Sequence, residues 1–283
     1  MPRMAGRPFI SFMTDFGVGS SAPSVCRGVI FGIARDAVLV DITHAIRQFA
    51  IRDGAFLLSR SVPYFPIGTH VAVVDPGVGT MRRPIALRAE RGDLFVGPDN
   101  GLLVPAAEKL GGIVEARALE NEALWLAPVS HTFHGRDIFS PVAAHLATGT
   151  PFESVGPVLG RDEIVELTLP TSAIRDHGLD TAVLYIDAFG NCRLAGEMQE
   201  VARLTDGHPR GLAFDVVLPA RGERPAERIE AVRWVATFGD VSLGSPLLFE
   251  DADYAGPALA LNQGSAAEHF ALTLDTAVRL EPT

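Results

Sequence analysis

The stretch His70–Arg83, HVAVVDPGVGTMRR, decides the predicted fold of this 283-residue chain. An apolar run follows the histidine and ends at Asp75, and then come a Pro-Gly-Val-Gly-Thr turn and two arginines. A short apolar, β-branched run that is bounded by Gly and Pro indicates a buried strand. We therefore predict a strand here whose carboxyl end carries an acidic side chain.

The same pattern occurs twice before this stretch, with helical segments between the strands. Strands are predicted at 8–14 (PFISFMT) and 37–43 (AVLVDIT), helices at 22–36, 50–62, 101–111 and 136–149, and a β pair at PIALRAE and DLFVGPD. Apolar strands that alternate with helices indicate an α/β sheet covered on both faces. The fold class predicted for residues 1–168 is therefore an N-terminal α/β sheet domain.

The character of the chain changes after a polar stretch with Pro and Gly at 169–180, LPTSAIRDHGLD, which is the predicted linker. Short strand candidates follow: TAVLYIDAFGNCRLA, GLAFDVVLPA, RIEAVRWVATF, SPLLFED, PALALN and FALTLDT. Closely spaced short strands with turns between them are typical of barrels and sandwiches. We therefore expect residues 179–283 to form a smaller, mainly β C-terminal domain.

Charge and composition restrict the class of partner. The formal net charge is −10 and no run of Lys or Arg is present, which argues against nucleic acid and against an anionic membrane surface. Cys26 and Cys192 lie far apart, so neither a disulfide framework nor a cysteine zinc site is expected, and a cytoplasmic location is predicted. No segment approaches the roughly 18 consecutive apolar residues of a membrane span, and the N-terminus is not typical of a signal peptide.

Acidic residues lie at or directly after the ends of all three predicted strands, at Asp15, Asp41 and Asp75. Ligands gather at the carboxyl ends of strands in α/β sheets, but an aspartate there is as often a turn cap, and we interpret Asp41 as structural. The GxGxxG, Walker A, HExxH and GxSxG motifs are absent. The segment HTFHGRD at 131–137 holds too few ligands for a closed metal site, so no metal is predicted.

Seven motifs occur in one order along nearly the whole chain: MTDFG, DITHAI, AVVDPGVGT with RR after it, FVGPDNGLL, TFHGRDIFSPVAAHL, IDAFGN and LNQGSAAE. Together they closely resemble the S-adenosylmethionine (SAM) hydroxide adenosyltransferase family, whose relatives are the SAM-dependent fluorinases and chlorinases. The resemblance implies that a nucleophile attacks C5′ of the ribose in line with the sulfonium, without a cofactor. In the hydroxide-using branch, the products are adenosine and L-methionine. The resemblance also implies homotrimers, with the SAM pocket between the N-terminal domain of one subunit and the C-terminal domain of its neighbour.

The resemblance assigns the water-activating centre to Asp75, Arg82 and His134. Hydroxide is scarce at neutral pH because the pKa of bulk water is about 15.7, so a base and a nearby cation are required. Arg82 stays charged and can stabilise a carboxylate and a developing hydroxide. His134 can accept a proton near neutrality, and Asp75 can orient the water or the imidazole. The order of proton transfer stays open, and we interpret Arg83 as a surface charge.

Further residues match the substrate-binding positions of the family. They are Asp15 for the ribose hydroxyls, Phe49 beside the sugar, Asp187 for the methionine ammonium, Phe189 and Asn191 for stacking and for the adenine edge, and Asn262 on the adenine wall. From the residues alone, Phe49 fits a core aromatic nearly as well as it fits a substrate contact. The Phe-Gly-Asn segment alone is interpreted as an ordinary turn.

Asp75 also separates hydroxide from halide as the nucleophile. Halogenases resemble this chain but carry a tyrosine at that position, and the fluorinase has a serine in place of Gly135. A carboxylate repels a halide ion by about 4 kcal/mol at a distance of about 4 Å and an effective dielectric of about 20. The sequence therefore favours SAM hydrolysis, with a chlorinase-like halogenase as an alternative.

Two departures from the family pattern fall on the amino-acid end of the substrate. The loop after TDFG carries Ser20 and Ala22 where relatives have an acidic residue and Tyr or Ser. Asp253 and Tyr254 stand where relatives have a Ser-rich, Gly-containing turn. These departures leave a third interpretation open, a SAM- or adenosine-binding protein with little turnover.

Overall fold

A computed structural model describes residues 6–222, 225–252 and 255–283, and the chain divides into two compact units, Met1–Leu167 and Thr168–Thr283. Within those ranges, no helix combines the length and the apolar character needed to span a membrane. The elements of the first unit are β1 (Phe9–Thr14), α1 (Ala22–Ile33), β2 (Val38–Thr43), α2 (Ile51–Ser61), β3 (Thr69–Val73), β4 (Pro84–Ala89), β5 (Leu94–Pro98), α3 (Val104–Lys109), β6 (Ile113–Ala118), α4 (Ser140–Ala147) and β7 (Val158–Leu159).

The first unit is built on a seven-stranded sheet in the order β2-β1-β3-β5-β4-β6-β7. Strands β2, β1, β3 and β5 are parallel, whereas β4 is antiparallel to β5 and β6. Successive side chains of a strand face opposite sides, so Val71 and Val73 pack with α1 and α4, whereas Ala72 and Val74 pack with α2 and α3. The predicted α/β sheet with both faces covered, and the predicted β pair, are therefore confirmed.

The second unit is a small β-barrel. Its elements are β8 (Ala173–Arg175), β9 (Gly178–Ile186), β10 (Cys192–Leu194), α5 (Met198–Leu204), β11 (Ala213–Leu218), β12 (Glu227–Trp234), β13 (Pro246–Asp251), β14 (Gly256–Leu261), α6 (Ala266–His269) and β15 (Ala277–Pro282). The strand order is β10-β14-β13-β12-β11-β15-β9-β8, and an added pairing of β10 with β9 closes a seven-stranded ring. The predicted mainly β domain is confirmed, and of the two predicted architectures it is the barrel.

The predicted linker at 169–180 is wrong in part, because it contains a β-hairpin. Strand β8 pairs antiparallel with the start of β9, with Ala173 opposite Asp180. Asp176 and His177, with φ of 43° and 58°, make the turn between the two strands. Most of this hairpin is exposed at the edge of the sheet, so its polar composition does not distinguish it from a linker.

The predicted strand FALTLDT is also wrong, because residues 270–276 form the loop between α6 and β15. Phe270 and Leu272 are buried in the barrel core, which reproduces the alternation of a strand. Left-handed φ values of 47° at Ala271 and 64° at Asp275 turn the chain instead. Local periodicity cannot detect this, because the alternating side chains are buried by tertiary packing.

A buried polar chain joins neighbouring strands of the first unit. Ser11 of β1 lies opposite His70 of β3, with its Oγ 2.7 Å from Nδ1, and Nε2 of the histidine is 3.0 Å from Oδ1 of Asp93. Burial alone would raise the pKa of Asp93, but the hydrogen bonds from His70 and Arg91 lower it to about 2. The serine, the histidine and the aspartate are fully buried, so this chain stabilises the strand register and is closed to substrates.

Candidate functional site

The carboxyl ends of β1 and β3 bring two of the predicted acidic residues into one cavity. These strands are parallel neighbours, and the backbone N–H of Asp15 donates to the carbonyl of Val73 at 3.3 Å. Asp15 and Asp75 both line a cavity of about 260 Å³. The wall also includes Phe16, Phe49, His134 and Gly135.

The turn after β3 brings Arg82 back onto Asp75. The backbone N–H of Thr80 donates to the carbonyl of Gly77, and the Thr80 hydroxyl oxygen accepts from the backbone N–H of Arg82 at 3.3 Å. Nε of Arg82 is 3.0 Å from Oδ1 of Asp75, and Nη2 contacts the other carboxylate oxygen. The two side chains are only 7% and 5% exposed, and the guanidinium lies 5.3 Å from the ring centre of Phe139. The turn thus builds a bidentate ion pair that is almost fully buried.

His134 completes the cluster from a loop 52 residues later in the chain. Its Nδ1 lies 3.3 Å from Nη2 of Arg82. Because a guanidinium has donors only, this contact requires an unprotonated Nδ1, so the proton of the neutral ring is on Nε2. Burial, and then the charge of Arg82, hold the pKa of His134 below its ordinary value of 6.5. The ring is therefore neutral at neutral pH and has the charge state of a base.

Asp137 fastens the loop that carries His134. A π-helical turn at Gly135–Phe139 leads into α4, and turns of this kind are frequent at functional sites. The fully buried Asp137 carboxylate accepts from the backbone N–H of Ser130 at 2.8 Å and from Nε of Arg136 at 2.5 Å. Its carbonyl accepts from the backbone N–H of Leu126 at 2.8 Å. Sequence reasoning missed this role, although the residue stands in the HGRD motif.

Two glycines permit the loops of the centre to pack closely. Gly79 has φ of 75°, and a Cβ there would collide with the carbonyl oxygen of His131. A Cβ on Gly135 would lie 2.8 Å from Cζ of Phe16. The ring of Phe16 thus fills the space that a serine side chain would need at position 135.

Arg83, which we interpret as a surface charge, and Asp41, which we interpret as structural, both make their contacts with residues that do not line this cavity. Arg83 pairs with the buried Asp99, with Nη2 and Oδ2 2.9 Å apart, so it is a structural ion pair and not a free surface charge. Asp41 pairs with Arg27 at 2.5 Å and lies 3.1 Å from Nε2 of His44.

The histidines of HTFHGRD do not form a metal site with their neighbours. Nδ1 of His134 faces a guanidinium, and Asp137 is paired with Arg136. In the part of the chain that the structure describes, no group of three or more His, Cys, Asp or Glu side chains is placed to hold a metal ion. The predicted absence of metals and cofactors stays a prediction.

Phe49 is an exposed residue in a left-handed backbone conformation, with φ of 66°, and 67% of its surface is accessible. The core-aromatic interpretation is therefore wrong. Its backbone N–H donates to Oδ2 of Asp15 at 2.9 Å. Of the two departures, the hydroxyl oxygen of Ser20 accepts from the backbone N–H of Ala22, the first residue of α1.

The other predicted substrate residues line a second cavity, in the second unit, of about 1130 Å³. Asp187, Phe189, Asn191 and Asn262 all belong to its wall. Phe189 is 79% exposed, whereas the two asparagines are buried. The departures at Asp253 and Tyr254 lie outside the described residues.

The Phe-Gly-Asn turn is built against the start of α6. Gly190 has φ of 81°, and a Cβ there would collide with the hydroxyl of Ser265, which caps α6. The Gly190 carbonyl accepts from the backbone N–H of Ala267 at 3.0 Å. Nδ2 of Asn262 donates to the carbonyl of Val241 at 2.8 Å, which ties this wall to the loop before β13.

The carboxylate of Asp187 is saturated by groups of its own unit. Oδ1 accepts from the backbone N–H groups of Phe189 and Asn191, and Oδ2 accepts from Nδ2 of Asn191 and from Nη1 of Arg193. Burial alone would raise the pKa of Asp187, but the hydrogen bonds from Arg193 and Asn191 hold it below its ordinary value. A substrate ammonium would have to displace one of these donors. Sequence reasoning missed Arg193, because nothing in its local pattern marks it.

Comparisons with known proteins cover both units. The family model described as SAM hydroxide adenosyltransferase N-terminal domain matches residues 10–156, and the corresponding C-terminal domain model matches residues 181–279. The chain is 43% identical to the (R)-S-adenosyl-L-methionine hydrolase of Salinispora tropica, over 95% of this chain and 96% of that protein. It is 30% identical to a fluorinase of an Actinoplanes species, over 66% of this chain and 70% of that protein.

A solved structure shows the same architecture. The crystal structure of an uncharacterized conserved protein from Thermotoga maritima is similar, with a TM-score of 0.84, 32% identity, and coverage of 96% of this chain and 99% of that chain. The matched residues lie in both units of the structure and include the motifs quoted above. The chain therefore belongs to the SAM hydroxide adenosyltransferase family.

Proposed function

We propose that this enzyme hydrolyses SAM by attack of water at C5′ of the ribose, giving adenosine and L-methionine. The contact cluster of Asp75, Arg82 and His134 at an open cavity carries this proposal. It combines a carboxylate, a permanent cation and a neutral imidazole, and these are the groups that water activation without a metal requires. The similarity to the Salinispora tropica hydrolase supports the same reaction.

The three side chains divide the work. Asp75 and His134 line the cavity and orient the water, whereas Arg82 contacts both of them and is not among the residues assigned to the cavity wall. The bond from the water oxygen to C5′ forms as the bond from C5′ to sulfur breaks, and the sulfur takes the electron pair. The water proton passes to Nδ1 of His134, whose contact with Arg82 is long and is replaced by the water.

Substrate recognition is divided between the two cavities in this proposal. Asp15 accepts hydrogen bonds from the ribose hydroxyls and Phe49 lies against the sugar, while Phe189 stacks on adenine between Asn191 and Asn262. The proposal includes in-line (SN2) displacement, a cytoplasmic location and a homotrimer whose active sites lie between subunits. Its support is that the predicted substrate residues divide between the two cavities, with Asp15 and Phe49 at one and Phe189, Asn191 and Asn262 at the other.

Water is favoured over halide at this centre. The Asp75 carboxylate repels an anion that arrives from solution, whereas hydroxide formed in place by proton transfer avoids that repulsion. The ring of Phe16 also closes the space beside Gly135 in which the fluorinase has its serine.

Product analysis in oxygen-18 water tests the proposal. Purified protein is incubated with SAM in chloride and in fluoride buffers, and adenosine with the label at its 5′-hydroxyl is the expected product. Replacement of the exposed His131 in the same loop (His131→Asn) should leave the rate within about twofold, whereas His134→Asn should lower kcat more than a hundredfold with little change in KM. A 5′-halogenated adenosine would identify a halogenase, and tight SAM binding without product would identify a binding protein.

A further inference from the structure

His44, directly after β2, holds the segment that leads from β1 into the cavity of the first unit. Its side chain is 8% exposed, and its Nδ1 lies 2.9 Å from Oγ1 of Thr14, the last residue of β1. The Thr14 oxygen also accepts from the backbone N–H of Phe16 at 3.2 Å. The carbonyl of His44 accepts from the backbone N–H of Gly17 at 2.9 Å. One histidine therefore contacts the chain on either side of Asp15 and Phe16, which line the cavity.

The surroundings of His44 determine its tautomer. Burial lowers the pKa of His44, although the Asp41 carboxylate acts in the opposite direction, so the ring is neutral at neutral pH. Nε2 lies 3.1 Å from Oδ1 of Asp41, off the line of a hydrogen bond, and the negative charge there favours the N–H on Nε2. Nδ1 is then an acceptor. The Thr14 hydroxyl donates to Nδ1, while its oxygen accepts from the N–H of Phe16.

A second series of the same chemistry starts from the same strand and provides a contrast. Ser11 of β1, His70 and Asp93 also place a hydroxyl, an imidazole and a carboxylate in line, with 2.7 Å between Oγ and Nδ1 and 3.0 Å between Nε2 and Oδ1. These three side chains are fully buried and do not line the cavity. Of the two series, the one through His44 ends at the cavity wall, on the backbone of Phe16.

The cavity wall depends on this segment at two points. Oδ2 of Asp15 accepts from the backbone N–H of Phe49 at 2.9 Å, so a shift of Asp15 also moves the loop that carries Phe49. The ring of Phe16 lies against the position of Gly135. Without the Thr14 oxygen, the N–H of Phe16 loses its acceptor, and the segment has to move to pair that N–H elsewhere.

We propose that His44 is a positioning residue, which acts through Thr14 to keep the Asp15 carboxylate directed at the ribose hydroxyls of the substrate. It contacts no reacting atom. The inference rests on the proposed function in taking Asp15 as the group that binds the ribose. Because the ribose hydroxyls do not react, a displaced Asp15 weakens binding of the ground state and of the transition state alike, which raises KM and leaves kcat nearly unchanged.

Two amide variants of His44 separate its two side-chain contacts. An asparagine amide can place its oxygen near the position of Nδ1 and keep the hydrogen bond from Thr14, whereas a glutamine amide reaches the position of Nε2 and loses that bond. His44→Asn should keep the KM for SAM within about threefold of wild type. His44→Gln should raise KM about tenfold, the size of one hydrogen bond to a charged group, with kcat within about threefold. Thr14→Val should behave like His44→Gln.

Ser11→Ala is the matched control, because it removes a buried hydroxyl that contacts an imidazole on the same strand. The unfolding midpoint is measured for every variant by calorimetry. Ser11→Ala should lower the midpoint and leave KM within about twofold of wild type, since its series does not reach the cavity. Loss of stability alone therefore cannot account for a raised KM.

The sugar supplies a readout that a merely structural role would not change. The ratio of kcat/KM for SAM to that for its 2′-deoxyribose analogue measures recognition of the ribose. This ratio should fall about tenfold in His44→Gln and should be kept in His44→Asn. In an Asp15→Asn background, His44→Gln should change KM by less than about twofold, because both changes remove the same interaction.

The outcomes separate this inference from the proposed function. Equal losses in His44→Asn and His44→Gln overturn the role of His44 and leave hydrolysis in place, and so does a wild-type sugar ratio in a folded His44→Gln protein. A wild-type ratio near one overturns the inference, because Asp15 then does not recognise the ribose. If SAM binds without adenosine formation, hydrolysis is wrong, and the same ratios of dissociation constants decide the inference. If His44→Gln does not fold, Thr14→Val decides, with Thr14→Ser as the variant that keeps the hydroxyl and the wild-type KM.

Discussion

Replacing Arg82 with methionine should destabilise the first unit as well as stop the reaction. The Asp75–Arg82 pair is 5% and 7% exposed, and the change leaves its carboxylate buried without a counter-charge. Two unit charges about 4 Å apart attract by about 4 kcal/mol at an effective dielectric of about 20. Removing one partner of a buried ion pair lowers the free energy of unfolding by about 3–5 kcal/mol, in agreement with that figure. At about 2–4 °C for each kcal/mol, the midpoint of thermal unfolding should fall by roughly 6–20 °C.

A double-mutant cycle separates stability from catalysis. Asp75→Leu should destabilise by a similar amount, because it leaves the guanidinium unpaired, whereas Asp75→Leu/Arg82→Met removes both charges and should regain most of the lost stability. Unfolding is followed by calorimetry, and activity by chromatography of adenosine. All three proteins should be inactive. Arg27→Met, at a partly exposed pair, is the control and should cost less than about 1 kcal/mol.

Two results would refute this reasoning. If Arg82→Met unfolds within about 2 °C of wild type, the pair is solvated in solution and its burial is not what holds the turn. If the double variant regains activity together with stability, the carboxylate and the guanidinium are structural and the water is activated elsewhere.

Three further predictions concern the loops, the histidine and the core. Gly135→Ser should reduce SAM turnover at least tenfold by forcing the ring of Phe16 to move, and it should not produce halogenation. The rate should fall as His134 is protonated, at a pH below its ordinary pKa of 6.5. In Arg82→Met, NMR titration of the His134 imidazole should show a higher pKa than in wild type, because the charge of Arg82 is one of the causes that lower it. The pKa of Asp93 is lowered from 3.8 to about 2, so its charged form contributes about 2 kcal/mol to the free energy of unfolding above pH 4. This contribution is lost as the pH falls towards 2. Asp93→Asn should therefore remove this part of the acid dependence, as measured by urea unfolding.

Each of these has a clear contrary outcome. Full activity of Gly135→Ser would show that Phe16 moves aside at no cost. An imidazole titration that is unchanged in Arg82→Met would show that the charge of Arg82 does not lower the pKa of His134. Equal loss of stability for Asp93→Asn at pH 7 and at pH 2 would show that its charge is not what stabilises the fold.

The α/β unit was predictable from sequence because its signals are local. Each of the first three strands is mostly apolar and ends within two residues of an aspartate, and each predicted helix is found within a few residues of its predicted bounds. The positions of Asp15 and Asp75 at neighbouring strand ends follow from parallel pairing alone. The contact between Arg82 and His134 does not, since it joins loops 52 residues apart, and only the family resemblance indicated it.

The barrel unit was less predictable because its interactions are made across strands. Arg193 looks like any polar residue in a short strand, yet it donates to the carboxylate of Asp187 through a pairing of β10 with β9 that sequence spacing does not reveal. FALTLDT alternates like a strand, and its burial in a loop depends on packing from distant elements. At Asp187, the sequence pattern identified the residue as a site candidate. It did not identify Arg193 as the partner, because that contact is made between two strands.

The barrel is closed by β10, which is three residues long and pairs with β9 on one side and β14 on the other. The Phe-Gly-Asn turn leads directly into this strand, so a nucleoside bound on the turn would stabilise the closed ring against local opening. Opening would leave β9 and β14 with unpaired edges, which are templates for pairing with another chain. A nucleoside in the cavity should therefore slow aggregation of the stored protein, where that aggregation begins with the loss of β10 from its pairing with β9 and β14.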